Sequence, residues 1–235
     1  MSRCIVNVAT GRYVTGQQRL QAMLGGHEAF MGWADRLPPG SQSHQTYPYQ
    51  FKAFALKAAV DSGHDVLLWS DACIVPYRSL DPLWKRIETA GAWISRNGWT
   101  NDQWCADPFY LHAGITREQN AKIPHVVATA FGLDLRTDVG RGIYEDYLRL
   151  SQTPAIQGPW CNRNNPQHSG AQRMIGDRLW CDPCGPPEVL GHRHDQSILS
   201  ALAWKYGVDL TSPPDWFAYR GGEVDSTILI ADGNY

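Results

Sequence analysis

No stretch of this chain approaches the roughly 18 consecutive apolar residues that a bilayer span requires. The opening residues, Met1-Ser-Arg-Cys4-Ile-Val-Asn-Val, turn polar too soon for the apolar region of a secretory leader. Charge of one sign is missing as well: 21 Lys and Arg stand against 23 Asp and Glu, a net charge of −2. No global basic field advertises nucleic acid or an anionic membrane, although a local basic groove is compatible with that total. Internal repeats, low-complexity tracts and linkers are absent too. The expectation is a soluble, cytoplasmic protein of one domain, residues 1–235, with 43% apolar residues to build its core.

Cysteine is sparse and weakly patterned. The chain has six, with one C-x-x-C pair, Cys181-Asp-Pro-Cys184, and Cys161, His168, His192 and His194 in the same region. Three readings stay open: a tetrahedral structural zinc site, a disulfide, or plain thiols, as a reducing compartment favours. Cys4 and Cys73 lie in strand-like apolar contexts and are expected to be buried.

What the chain does have is aromatic weight. Ten Trp and ten Tyr can fill a core, and they are also the rings on which sugars and bases stack.

Strand and helix patterns alternate through the first half. Residues 4–9 read as a strand, 15–24 as a helix and 29–34 as a second strand, with a polar Pro-rich loop over 37–48. Residues 49–62 carry a helical period with Phe51, Phe54, Ala55, Ala58 and Ala59 on one face, ended by Gly63. A continuously apolar strand covers 66–69, a helix opened by Asp81 and Pro82 covers 80–90, and 92–95 is a strand. This β-α-β-α-β order predicts an α/β fold with a layered, mainly parallel sheet. Further on, 96–106 reads as a polar loop, 126–135 as a strand, 139–151 as a helix with Ile143, Tyr147, Leu148 and Leu150 inward, and 194–206 as a helix. The 152–190 segment is too long for an ordinary connection in a compact domain, so the C-terminal half is expected to carry an elaborated loop region, a lid or binding loop.

The run Val66-Leu-Leu-Trp69-Ser-Asp71-Ala-Cys73 sets a carboxylate at the end of a doubly buried strand. Open α/β sheets place ligands at that edge, and a carboxylate there suits a hard divalent cation. Asp71 also fits a simple turn cap. Asp195 and Gln196 open the last helix, where the dipole is positive and stabilises an ionised carboxylate; Asp195 also fits a plain first-turn residue. Lys52 reads either as a phosphate-facing cation or as a solvated helix lysine, and His194 either as a ligand or as a hydrogen-bonded residue at a helix start.

Three islands, Val6-Asn-Val-Ala-Thr10-Gly-Arg-Tyr13, Tyr49-Gln-Phe-Lys52 through Asp71-Ala-Cys73, and His192-Arg-His194-Asp195-Gln196-Ser-Ile-Leu, resemble in their order the GT-A-fold nucleotide-sugar glycosyltransferases, small glycogenin-like, capsule-type and phage-type enzymes among them. The resemblance implies a GT-A-like layered sheet whose first half, residues 1–95, binds the nucleotide sugar and whose second half, 96–235, receives the acceptor. It implies that Thr10, Gly11, Tyr13, Lys52 and Asp71 hold the donor, that Asp71 and His194 hold Mn²⁺ or Mg²⁺, and that Asp195 and Gln196 act at the reacting sugar. Where strong members show a second metal-binding carboxylate this chain has Cys73, a poor match for those hard ions, so either Asp71 works with the diphosphate and an imidazole from His192 or His194, or metal dependence is weak.

On that resemblance a sugar passes from a nucleoside diphosphate to a hydroxyl of a glycan, a small molecule or modified DNA. A phage-type transfer to 5-hydroxymethylpyrimidine needs a phosphate-tracking groove from Arg136, Arg141, Arg149, Arg163 and Arg173. A non-catalytic sugar- or nucleotide-binding module is the third reading. Two spatial expectations follow. Asp195 and Gln196 should line one cleft with Asp71, and segment 152–190 should fold over it with Trp160 or Trp180 near the sugar, unless zinc on Cys161, Cys181 and Cys184 pins it.

Overall fold

Apolar strands at the amino end of the chain find partners through the helices between them. A computed structural model describes residues 2–158, 173–175, 178–180, 186, 188–210 and 216–233, with backbone alone at 173–175 and 178–180. In chain order its strands and helices are β1 (Arg3–Ala9), α1 (Tyr13–Leu24), β2 (Phe30–Ala34), α2 (Gln50–Asp61), β3 (Val66–Ser70), β4 (Ile74–Pro76), α3 (Asp81–Ala90) and β5 (Ala92–Thr100). There follow α4 (Asp107–Ala113), α5 (Arg117–Asn120), β6 (Pro124–Asp134), α6 (Asp138–Leu150), β7 (Arg173–Ile175), β8 (Arg178–Trp180), α7 (Asp195–Lys205), β9 (Phe217–Tyr219) and β10 (Leu229–Ala231).

The main sheet has the order β2-β1-β3-β6-β5. β1 runs parallel to both neighbours, while β6 is antiparallel to β3 and β5, so four strands point one way and one returns. This is the mainly parallel α/β sheet expected from the alternation. Parallel neighbours need crossovers, which α1 and α2 supply. A small sheet, β4-β10-β9, carries the chain on from the end of β3.

Both faces of the main sheet are covered, as its continuously apolar strands require. Val6, Leu67 and Trp69 point to the face under α2, α6 and α7, while Ile5, Val66 and Leu68 meet α1, α3 and the small sheet. Each large side chain fully buried there contributes about 1.5–3 kcal/mol. Cys4 is buried, as expected, and Cys73 is partly buried. Among the described residues no helix is long and apolar enough to cross a membrane.

Three local expectations are corrected. β5 does not stop near Ser95: β6 continues alongside, pairing Thr100 with Pro124 across two register shifts, and a 3₁₀ turn over Asn101–Trp104 follows, capped by Thr100. The inward face of α2 is Lys52, Ala55, Leu56 and Ala59, with Phe51 and Phe54 half-buried, because Lys52 has ionic partners inside. In α3, Leu80 rather than Asp81 is the capping position, and Asp81 sits in the first turn. Gly63 takes a φ of 89° after α2 and donates its N–H to Val60, ending the helix as its position implied.

Candidate functional site

The carboxyl ends of β1 and β3 diverge around a cavity of about 360 Å³. Val8, Ala9 and Thr10 line it from β1, Tyr13 from the first turn of α1, and Asp71, Ala72 and Cys73 from the turn after β3; Leu37, His44, Tyr49 and Phe51 close the far side. The last three form an aromatic wall. His44 meets Tyr49 edge-on at 4.6 Å and Phe51 at 5.5 Å, and the backbone N–H of Tyr49 donates to His44 Nδ1 at 3.0 Å.

Asp71 is fixed from three sides. Its backbone N–H donates to the Thr129 carbonyl at 2.8 Å, and Trp69 Nε1 donates to its Oδ1 at 2.7 Å. Lys52 Nζ lies 3.1 Å from the same Oδ1. That ammonium is also 2.9 Å from Asp195 Oδ2 and donates to the Ala128 carbonyl at 2.8 Å. Lys52 is only 2% exposed, so its hydrogens are met by protein atoms rather than water. Burial works against its charge, but the two carboxylates more than offset this and hold its pKa above the ordinary value. Asp195 is 4% exposed; burial raises its carboxyl to about 6 even though Lys52 pulls the other way.

One shared nitrogen thus joins Asp71 to Asp195, 124 residues later in the chain. The structure brings together Thr10, Tyr13, Lys52, Asp71 and Asp195. Gly11 lies in the turn before α1, where its N–H donates to Asp35 Oδ1 at 2.7 Å. Asp195 stands behind Lys52, away from the cavity lining. Gln196 turns its amide to the Val126 carbonyl at 2.5 Å, an anchor of α7 on β6.

His194 does not face Asp71 as part of a metal cluster. Its Nδ1 donates to the Ile156 carbonyl at 2.9 Å, and burial keeps the imidazole well below its ordinary pKa. His192 accepts from the Ala106 N–H at 3.3 Å and donates to the Ala155 carbonyl at 3.1 Å. These histidines tie the entry to α7 onto the chain around Ala155 and Ile156. Burial pushes the Cys73 thiol up to about 12, leaving it protonated. Among the described residues no three His, Cys, Asp or Glu side chains form a metal-holding group. A carboxylate already paired with an ammonium, next to a neutral soft thiol, does not suit Mg²⁺ or Mn²⁺. Cys161, Cys181, Cys184, His168 and Trp160 lie outside the described residues, as do the side chain of Trp180 and most of segment 152–190.

Two of the five arginines of the groove expectation pair with local carboxylates. Arg136 pairs with Asp134 at 2.6 Å and Arg149 with Asp146 at 2.8 Å. Arg163 and the side chain of Arg173 are outside the described residues.

Backbone strain marks the same place. Among the described residues three non-glycines have positive φ: Asp35 (53°), Tyr49 (60°) and His194 (50°). Such conformations persist only where surroundings enforce them. Tyr49 and His194 stack at 5.9 Å, and each directly precedes the helix that carries Lys52 or Asp195. Sequence reading missed this, and it missed a buried polar network beneath the cavity. Asn7 Nδ2 donates to the Ser70 carbonyl at 2.5 Å, and Gln17 Nε2 donates to Asn7 Oδ1 at 2.6 Å and to the Trp33 carbonyl at 3.2 Å. A polar residue within the apolar run Ile5-Val6-Asn7-Val8 was the available signal.

Among solved structures, the WbbM bifunctional glycosyltransferase in its apo form aligns over 100% of this chain and 46% of its own, with a TM-score of 0.51 and 9% identity. The fold is GT-A-like. A glycosyltransferase involved in glycosylation of the major capsid of PBCV-1 aligns over 65% of this chain and 68% of its own, at a TM-score of 0.38 and 9% identity. The chain spans a little under half the length of the WbbM protein. No family model and no curated protein matches the sequence. Open α/β sheets place ligands beyond the carboxyl ends of their strands, here β1 and β3, and the chemistry has to come from the side chains found there.

Proposed function

We propose that the chain transfers a sugar from a nucleoside-diphosphate sugar to a hydroxyl acceptor. The observation that carries this reading is the Asp71–Lys52–Asp195 bridge, whose Asp71 lines a cleft with aromatic rings on one side and a helix start on the other. The rings of Tyr49 and Phe51 suit a flat base or a sugar face. The amino end of α1, behind Thr10 and Tyr13, suits a diphosphate, because the helix dipole is positive there. In the transfer, the bond from the anomeric carbon to the diphosphate breaks with its electron pair going to the leaving group, and a bond to the acceptor oxygen forms as that hydroxyl loses its proton.

Asp71 is the carboxylate in the cleft lining and takes the contacts to sugar hydroxyls. Lys52 holds Asp71 through its Oδ1, and Asp195 holds Lys52, so Asp195 acts as a positioning residue. Rigid placement of this kind is what orientation effects in catalysis require.

A thermal-shift screen of nucleoside diphosphates and their sugars tests the reading. A true ligand at 100 times its Kd adds about 2.7 kcal/mol of stability. Donor hydrolysis or transfer by the stabilised complex then separates an enzyme from a binding module. No shift with any nucleotide or sugar nucleotide would overturn the proposal.

A further inference from the structure

Lys52 sits 3.1 Å from Asp71, the carboxylate expected to hold a divalent cation. Its nitrogen contacts Asp71 Oδ1, Asp195 Oδ2 and the Ala128 carbonyl, and it lies 5.2 Å from the Tyr49 ring and 5.3 Å from the Trp69 ring. An ammonium has three donors and no acceptor, and three oxygens are as many as it can serve. A divalent ion on the same carboxylate would sit beside a permanent positive charge that repels it. The next candidate ligand offers no help. Cys73 presents soft sulfur, and its carbonyl already accepts the Asp232 N–H at 2.8 Å.

We propose, on the reading of the cleft as a nucleotide-sugar site, that Lys52 replaces the divalent cation and that the cleft binds its nucleoside diphosphate without metal. Lys52, shared with Asp195, offsets part of the charge of Asp71 without a metal. The diphosphate approaches a carboxylate whose charge is partly offset from below, with the amino end of α1 opposite.

Calorimetric titration of UDP, GDP and ADP into the wild-type chain, once with EDTA and once with MnCl₂, tests this directly. Affinity for the nucleotide that binds should agree within about threefold between the two buffers; tightening by Mn²⁺ of more than about tenfold overturns the inference. Mn²⁺ titrated alone and followed by electron paramagnetic resonance gives a readout independent of nucleotide. The wild-type chain should leave the ion free, and a bound ion overturns the inference. If no nucleotide binds in either buffer, the functional reading fails, and the Mn²⁺ titration alone decides the metal question. Lys52→Met removes the ammonium and leaves two carboxylates facing one space, so the folded variant should gain a Mn²⁺ ion. A folded variant that gains none counts against Lys52 holding a cation's place. If the variant does not fold, the wild-type titrations decide.

Discussion

Gly16 lies so close to the carbonyl of Ala72 that a methyl group on it would stand 2.3 Å from that oxygen. Helix α1 therefore packs directly on the Asp71-Ala72-Cys73 turn, with no side chain between them. Helix start and carboxylate, the two halves of the cleft, are set against each other by this contact.

Gly16→Ala should consequently act on the site as well as on the fold. The obstructing atom belongs to the backbone, so the turn has to move. A stability cost of about 1–3 kcal/mol is expected from overpacking. An ångström-scale shift of Asp71 should lower sugar turnover by about 100-fold. Urea unfolding combined with steady-state kinetics checks both, and a variant with wild-type turnover would show that the contact does not position Asp71.

Asp71→Asn keeps the side-chain size and the Trp69 hydrogen bond but removes the charge facing Lys52. Turnover should fall by about 100-fold or more while the fold survives, since Asp71 is partly exposed and Asp195 still holds the ammonium. Donor consumption followed by chromatography measures it. Near-normal turnover in a folded Asn variant would remove Asp71 from the site.

Asp195 should set the acid limb of the pH–rate profile. Burial places its carboxyl at about 6, so below that pH it gains a proton and releases Lys52. The rate should fall with a single step near pH 6. Asp195→Asn should be slow at every pH and lack that step. A variant that keeps the step assigns it to another group.

Stability should fall on the acid side because several histidines are folded in as neutral rings. Burial lowers the pKa of His125 to about 3 and of His192 to about 4, and holds His194 well below its usual value. Between these values and the ordinary 6.5 the unfolded chain binds protons that the folded chain does not, so stability is full above that range and is lost as pH drops through it. Each such group costs about 1.4 kcal/mol per pH unit in that window. Asp195 works the other way between 3.8 and about 6, because its raised pKa makes the folded state hold the proton. With three histidines against one carboxylate, the urea midpoint should be clearly lower at about pH 5 than near neutrality. An unchanged or rising midpoint would contradict the neutral histidines.

Segment by segment, the sequence determined what depends on local pattern. The apolar run Val66–Trp69 read as a strand covered on both faces, and the alternation of such strands with helical periods predicted a mainly parallel α/β sheet. The strand-end position of Asp71 was readable for the same reason: a chain that turns polar straight after a buried strand has reached the sheet's edge. Tertiary structure alone decided which groups meet there. Periodicity assigned the buried face of α2 to its aromatic residues, because a lysine counts as polar until a partner is known. Two carboxylates from distant positions made Lys52 an interior residue instead. The roles of His192, His194 and Gln196 likewise depended on backbone carbonyls of Ala155, Ile156 and Val126, which no side-chain pattern announces. Hydrophobic period is a property of neighbours in the chain, whereas the pairing of a buried charge or donor is settled only when remote segments pack together and exclude water.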